Sequence, residues 1–140
     1  TFASMKYKYR AIWPAVPTGK FIRRPMVEVE VFGPKGKRKE LALIDSGADF
    51  SLFNYEIAEL LGIDLSVAEF AKVTGITGVD AVLFKEIEIK IEYLEKKFKL
   101  KAGFIKSPYV TALLGQNGFF DWHKIKFEKD HDAFEIIPVK

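Results

Sequence analysis

The chain has no cysteine and only two histidines among its 140 residues. Without cysteine there is no disulfide framework, no thiolate metal site and no cysteine nucleophile. The histidines, His123 and His131, fall beside an aromatic stretch and in a polar turn, without the partner spacing of a zinc site. A Gly-x-Ser-x-Gly elbow for a serine nucleophile is missing as well. No apolar run approaches the ~20 residues of a membrane-spanning helix, and Thr1-Phe-Ala-Ser lacks the basic and apolar regions of a signal peptide. The chain opens on Thr1 rather than Met, which reads as a fragment or a trimmed chain, and the cytoplasm is the default expectation for its location. Neither sign of charge dominates: 22 Lys and Arg face 19 Asp and Glu, spread along the chain, for a net +3. That mixture favours solubility over a nucleic-acid footprint.

What the chain does have is apolar residues, 49% of the total, in a length suited to one core. Most of them alternate with charge. Residues 5–13 put rings on one face of an edge strand and Lys6, Lys8 and Arg10 on the other. Pro14, Pro17 and Gly19 then make a loop. Val27, Val29 and Val31 share one face of the next strand, and the basic Gly33–Lys39 turn leads into another over 40–44. That turn lacks the Gly-Lys-Ser/Thr ending of a phosphate loop and precedes a strand, so it is a hairpin tip. Asn54 can cap a helix to Leu61, with Ile57, Leu60 and Leu61 on one face and Gly62 as its stop.

Residues 63–70 are expected to form a bent strand, and 71–84 a hairpin with a Gly75-Ile76-Thr77-Gly78 tip. Ile87, Ile89 and Ile91 mark the cleanest alternation, turning through 93–97 into a second arm over 98–105. Ser107-Pro108 breaks the pattern before a short buried strand at 110–115. Residues 116–123 suggest a helical turn or short helix in which Phe119, Phe120 and Trp122 add bulk to the core. Two final strands, 124–128 and 134–139, flank a polar turn. Eight or so strands with one or two short helices imply a mainly-β domain over 1–140, most simply a small closed or partly closed barrel, with 1–24 as an N-terminal strand and loop extension.

One stretch carries a charge in an unusual place. In Leu41-Ala-Leu-Ile-Asp45-Ser-Gly-Ala-Asp49-Phe-Ser-Leu-Phe53 a carboxylate follows an apolar run directly and a small turn re-enters apolar sequence. A carboxylate at a core edge must be satisfied by partners or employed in chemistry. The segment also matches a phosphorylation-dependent degradation tag, but its apolar flanks argue against a mobile tag.

Asp45-Ser46-Gly47-Ala48 looks like the Asp-Ser/Thr-Gly-Ala signature of aspartic proteases. The Gly75–Gly78 hairpin stands in the place of their flap, and Ala112-Leu-Leu-Gly115-Gln-Asn117 matches their two apolar residues, Gly and helix. With all three in order, residues 25–138 or so resemble the retroviral-type, or retropepsin-like, aspartic proteases, specifically their cellular microbial relatives.

The resemblance implies an endopeptidase of the acid-protease barrel type that needs no metal or organic cofactor. With one Asp-Ser-Gly motif, the chain would supply its dyad by homodimerisation, Asp45 against the partner's Asp45. It further implies that Ser46 and Gly47 support the active-site loop. Leu43, Ala48, Asp49, Gly75, Ile76, Thr77, Gly78, Thr111 and Leu113 would contact a peptide substrate with apolar side chains about the cut bond. Two departures stand out. Gln116 replaces the Arg that pairs with the acidic residue at the Asp49 position in viral enzymes, leaving Arg10, Arg23 or Arg24 as substitutes, and Thr77 replaces a flap glycine. A catalytically silent peptide-binding or regulatory barrel is the alternative, and a nucleic-acid barrel using the Lys6–Arg10 face a distant third.

Overall fold

A computed structural model describes residues 3–12, 21–75, 78–108 and 110–139. The expected loop at Pro14, Pro17 and Gly19 and the hairpin-tip residues Ile76 and Thr77 lie outside the described residues. The chain is mainly β, 59% strand against 8% helix.

The strands are β1 (Met5–Lys8), β2 (Arg10–Ile12), β3 (Ile22–Arg24), β4 (Met26–Gly33), β5 (Gly36–Ile44) and β6 (Ser51–Asn54). Helix α1 (Tyr55–Leu61) follows, then β7 (Glu69–Gly75), β8 (Gly78–Ile91), β9 (Phe98–Ile105), β10 (Ala112–Leu114), β11 (His123–Glu128) and β12 (Ala133–Pro138). In the main sheet the order is β4-β5-β10-β6-β9-β8-β7, and pairing of β4 with β8 closes six of these strands into a barrel. Closure leaves β7 outside as the free arm of a hairpin with β8.

Closure is written in the alternation. Val29 and Val31 of β4 face Ile91 and Ile89 of β8 across the seam, and all four are fully buried. Burying one such side chain is worth about 1.5–3 kcal/mol. Their neighbours Glu28, Glu30, Glu88 and Lys90 point away from the core and need no burial. The β4–β5 turn is tight, Gly33 facing Gly36 with Pro34-Lys35 between.

Helix α1 starts where Asn54 accepts from the Glu56 N–H at 3.0 Å and ends at left-handed Gly62. The same Asn54 side chain donates to the carbonyls of Ser107 and Val110, tying the helix start to the approach of β10. The helix buries Ile57, Ala58 and Leu61. Leu60, expected on that face, is 55% exposed; one short helix over the barrel wall can use only one of the two stripes beside Ile57.

Three further expectations need correction. Residues 5–13 are not one strand: β1 pairs with β12, whereas β2 pairs with β3. Alternation continues through the break, so Tyr7 and Tyr9 are both buried. Residues 63–68 form no strand, because Asp64 accepts from the Ser66 N–H and hydroxyl and Ala68 N bonds Leu65 O, curling the chain into turns. Residues 116–122 make successive turns rather than a helix, with Gly118 at φ 93° breaking helical progression. Phe119 is fully buried there, but Trp122 is 39% exposed.

The terminal strands form their own sheet, β1-β12-β11. Its inner face sets Tyr7, Tyr9, Phe134 and Ile136 into the same apolar cluster as the barrel valines and isoleucines. Phe134 stacks on Tyr7 and meets Tyr9 edge-on. Arg23 fixes this sheet to β3 by donating to the Asp132 carboxylate at 2.7 and 2.8 Å and to the Tyr9 carbonyl at 2.8 Å.

Candidate active site

Asp45 stands at the first residue after β5, where the strand leaves its ladder. Its N–H donates to the Leu114 carbonyl at 2.9 Å, extending the parallel β5–β10 pairing by one bond. The chain then turns: Ala48 N donates to Asp45 O at 3.2 Å, and Gly47 N donates to Asp45 Oδ1 at 2.9 Å. Small residues suit this turn, since its amide must approach the carboxylate closely; a Cβ on Gly47 would lie 3.3 Å from Oδ1. Asp45 is half-buried, while Ser46, Gly47 and Asp49 are exposed.

The loop rests on the segment after β10. Gly115 N donates to the buried Ser51 hydroxyl at 3.1 Å. Gln116 N and Asn117 N donate to the carbonyls of Ala48 and Asp49, at 2.8 and 2.9 Å. Only glycine fits at 115, where a Cβ would meet Phe50 O at 2.3 Å and Ala48 O at 2.7 Å. Gln116 adds a side-chain bond, its Nε2 donating to Ser46 O at 2.8 Å. Thus the residue that departs from the viral pattern braces the loop by a neutral hydrogen bond.

The expected substitutes for that arginine are engaged elsewhere in two cases of three. Arg10 pairs with Glu92 and Arg23 with Asp132. Among the described residues no cation pairs with Asp49, and Arg24 has no ion pair.

Register aligns the flanking apolar residues. Leu43 lies beside Leu113, Leu113 beside Leu52, Leu52 beside Gly103 and Gly103 beside Phe84. Residues opposite one another in a ladder share a face, so Leu43, Leu113, Leu52 and Phe84 line one side of the sheet. Asp45, two residues beyond Leu43, emerges on that side, while Ala42, Ile44, Ala112 and Leu114 turn into the core. Phe50 closes the row edge-on against Phe84, ring centroids 4.9 Å apart. Sequence reasoning missed Leu52, Phe84 and Phe50; the alternation of Leu52 with buried Ser51 and Phe53 was the available signal. Thr111 is exposed just before β10, and Ala48 is half-buried.

The β7–β8 hairpin brings Gly75 opposite Gly78 at its tip end. Its root packs against the same apolar face, with Val82, Phe84 and Ile105 buried and Phe50, Leu52, Ala71 and Val110 against them. An ion pair between Glu69 on β7 and Lys101 on β9 ties the root to the barrel at 2.5 Å. The two histidines stand apart from this loop: His123 donates through Nδ1 to the Phe119 carbonyl at 2.9 Å, and exposed His131 sits between Glu128 and Asp130. Among the described residues no three His, Asp or Glu side chains group as metal ligands, and no helix is long and apolar enough to cross a membrane.

Neither a protein-family model nor a curated protein matches the chain by sequence. Among solved structures it is similar to a retropepsin-like aspartic protease from Rickettsia conorii, at 16% identity and a TM-score of 0.64, over 96% of this chain and 99% of that one. The chain therefore has the retropepsin-like fold, reached from a sequence far removed from that relative.

Proposed function

We propose that the chain is an aspartic endopeptidase, one protease domain over 1–140, that works as a homodimer with Asp45 from each copy forming the catalytic dyad. The observation that carries this reading is the Asp45 loop itself: a half-buried carboxylate held by one backbone donor, on the same sheet face as an apolar row, at the end of a closed barrel. One copy provides one such group. Two carboxylates about 3 Å apart share a proton because both cannot ionise at that distance. The ionised member takes a proton from a water as that water attacks the scissile carbonyl, and the protonated member donates to the carbonyl oxygen. The resulting tetrahedral diol collapses with protonation of the leaving amine, without an acyl-enzyme.

In this reading the exposed Ser46 braces the two loops across the dimer and Gly47 leaves room for substrate backbone. Leu43, Thr111 and Leu113 form pocket walls, Ala48 and Asp49 line the groove, and Gly75, Ile76, Thr77 and Gly78 close over the peptide as a flap. The apolar row favours apolar side chains beside the cut bond. A peptide-library digest between about pH 4 and 7, run with the wild type and Asp45→Asn, tests the assignment, since a shared proton calls for an acid-shifted optimum. Cleavage that persists in Asp45→Asn removes Asp45 from catalysis. Peptide binding without cleavage by the wild type would select the silent binding module.

A further inference from the structure

We propose that a groove between the β8–β9 connection and the start of β11 is a binding site for a small apolar anion, with an aromatic or aliphatic body and one acidic head. The groove has a volume of ≈ 350 Å³, within the roughly 300–1,000 Å³ of small-molecule clefts. None of its lining residues belongs to the Asp45 loop, to β10 or to the tip of the β7–β8 hairpin.

Its floor is built from Ile91, Leu94 and Phe98. Over the buried Ile91 and Leu94, the side chains of Phe98, Trp122 and Pro138 give a ligand body an apolar surface to cover. Its charge is of one sign: Lys96, Lys97 and Lys99 line it and no Asp or Glu does. An anion is the complementary head group, and an apolar wall raises the value of that match by excluding water.

The wall also holds an unused acceptor. His123 is 7% exposed, its ring stacked on Phe119 and in contact with Phe98, both centroids 4.8 Å away. Nδ1 lies 2.9 Å from the Phe119 carbonyl, which can only accept, so Nδ1 carries the proton. Burial favours the neutral ring. Nε2 is therefore a lone-pair acceptor, and it has no protein partner among the described residues. Nε2 is open to water at the groove, and a ligand N–H or O–H can take that water's place.

The probe 1-anilinonaphthalene-8-sulfonate combines an aromatic body, an N–H and an anionic head. Titration of the native chain, carried out in a Trp13→Phe background so that Trp122 on the groove wall reports alone, is expected to show one saturable site with quenching of Trp122. Decanoate should displace the probe. Reversing the exposed Lys96, Lys97 and Lys99 to Glu, with the fold checked by circular dichroism, should weaken the sulfonate by at least about tenfold. Neutral N-phenyl-1-naphthylamine should keep its affinity in that variant. His123→Phe, which retains a ring of similar size, should weaken both probes. The proposal falls if no saturable site is found or if the charge-reversed chain binds the sulfonate as tightly as the wild type. It also falls if Trp122 becomes shielded with rising protein concentration alone, since a second copy would then fill the groove.

Discussion

Asp45 and Glu92 each end an apolar strand of the same barrel, yet the protein treats the two carboxylates in opposite ways. Glu92 is surrounded. It accepts from Arg10 at 3.0 and 3.1 Å and from the Glu28 N–H at 2.8 Å, and its own carbonyl accepts from the Tyr7 hydroxyl at 2.6 Å. Asp45 receives the Gly47 N–H and, among the described residues, no other donor to its side chain. A carboxylate whose lone pairs are filled by a cation and a backbone amide is scaffold, because it has little left to offer a substrate. One held by a single amide at a half-exposed rim is oriented and still open.

Tyr7 shows how far the Glu92 corner is committed to structure. Burial first, then the charge of Glu92 and the neighbouring Tyr93, pushes its phenol above the usual tyrosine range, so the hydroxyl remains a donor at any working pH. Among the described residues nothing comparable surrounds the Asp45 loop, whose supports are neutral backbone and amide bonds.

The contrast can be broken in order of expected effect. Asp45→Asn should cut peptide hydrolysis by about three orders of magnitude or more while leaving the melting temperature near that of the wild type, as measured by initial rates and calorimetry. Gly115→Ala drives a Cβ into the Phe50 and Ala48 carbonyls and should cost about 3 kcal/mol in denaturant unfolding, with activity lost as the loop shifts. Glu92→Ala should do the reverse of Asp45→Asn. It should lower stability by about 1–3 kcal/mol through the lost bonds to Arg10 and Glu28 and spare the rate per folded chain. Gln116→Ala removes the bond to Ser46 O, with a loss of about 1 kcal/mol and a modest fall in kcat.

The smallest effect concerns pH. Burial holds the His123 pKa below its ordinary 6.5, the Phe119 carbonyl opposing this only in part. The unfolded chain therefore binds a proton at His123 before the folded chain does. That contribution to stability is intact above pH 6.5 and is lost as pH falls from there toward the folded value. Unfolding free energies measured down this range should decline less steeply in His123→Phe.

Much of the barrel is legible because its strands pair in hairpins with period-two patterning. Val27 to Val31 and Ile87 to Ile91 can hardly be placed otherwise. The break at Tyr9 is not legible: β1 and β2 keep the same alternation while changing partners, and periodicity says which face is buried but not which strand lies alongside. The turns over 63–68 carried a local signal in Asp64-Leu-Ser66, outweighed by the apolar residues around it. The Asp45-Ser46-Gly47-Ala48 motif was legible as a motif. Its support by Gln116 was not, since a Gln side chain reaching back to Ser46 depends on a fold that brings residues 70 positions apart into contact.

The terminal sheet bears on the proposed homodimer. β1 and β12 pair within one chain, and Arg23 locks them to β3. Under the proposed association, folding of one copy is thereby separable from pairing with a second, so copies should mix without unfolding. Mixing Asp45→Asn protein with wild type in varying ratio at constant total protein tests the dyad most directly. If two Asp45 carboxylates are required, activity declines in step with the pairing of wild-type chains, as the square of their fraction when total protein is held constant. Activity that instead follows the wild-type fraction linearly, at concentrations where mixed dimers form, would contradict a dyad shared between copies.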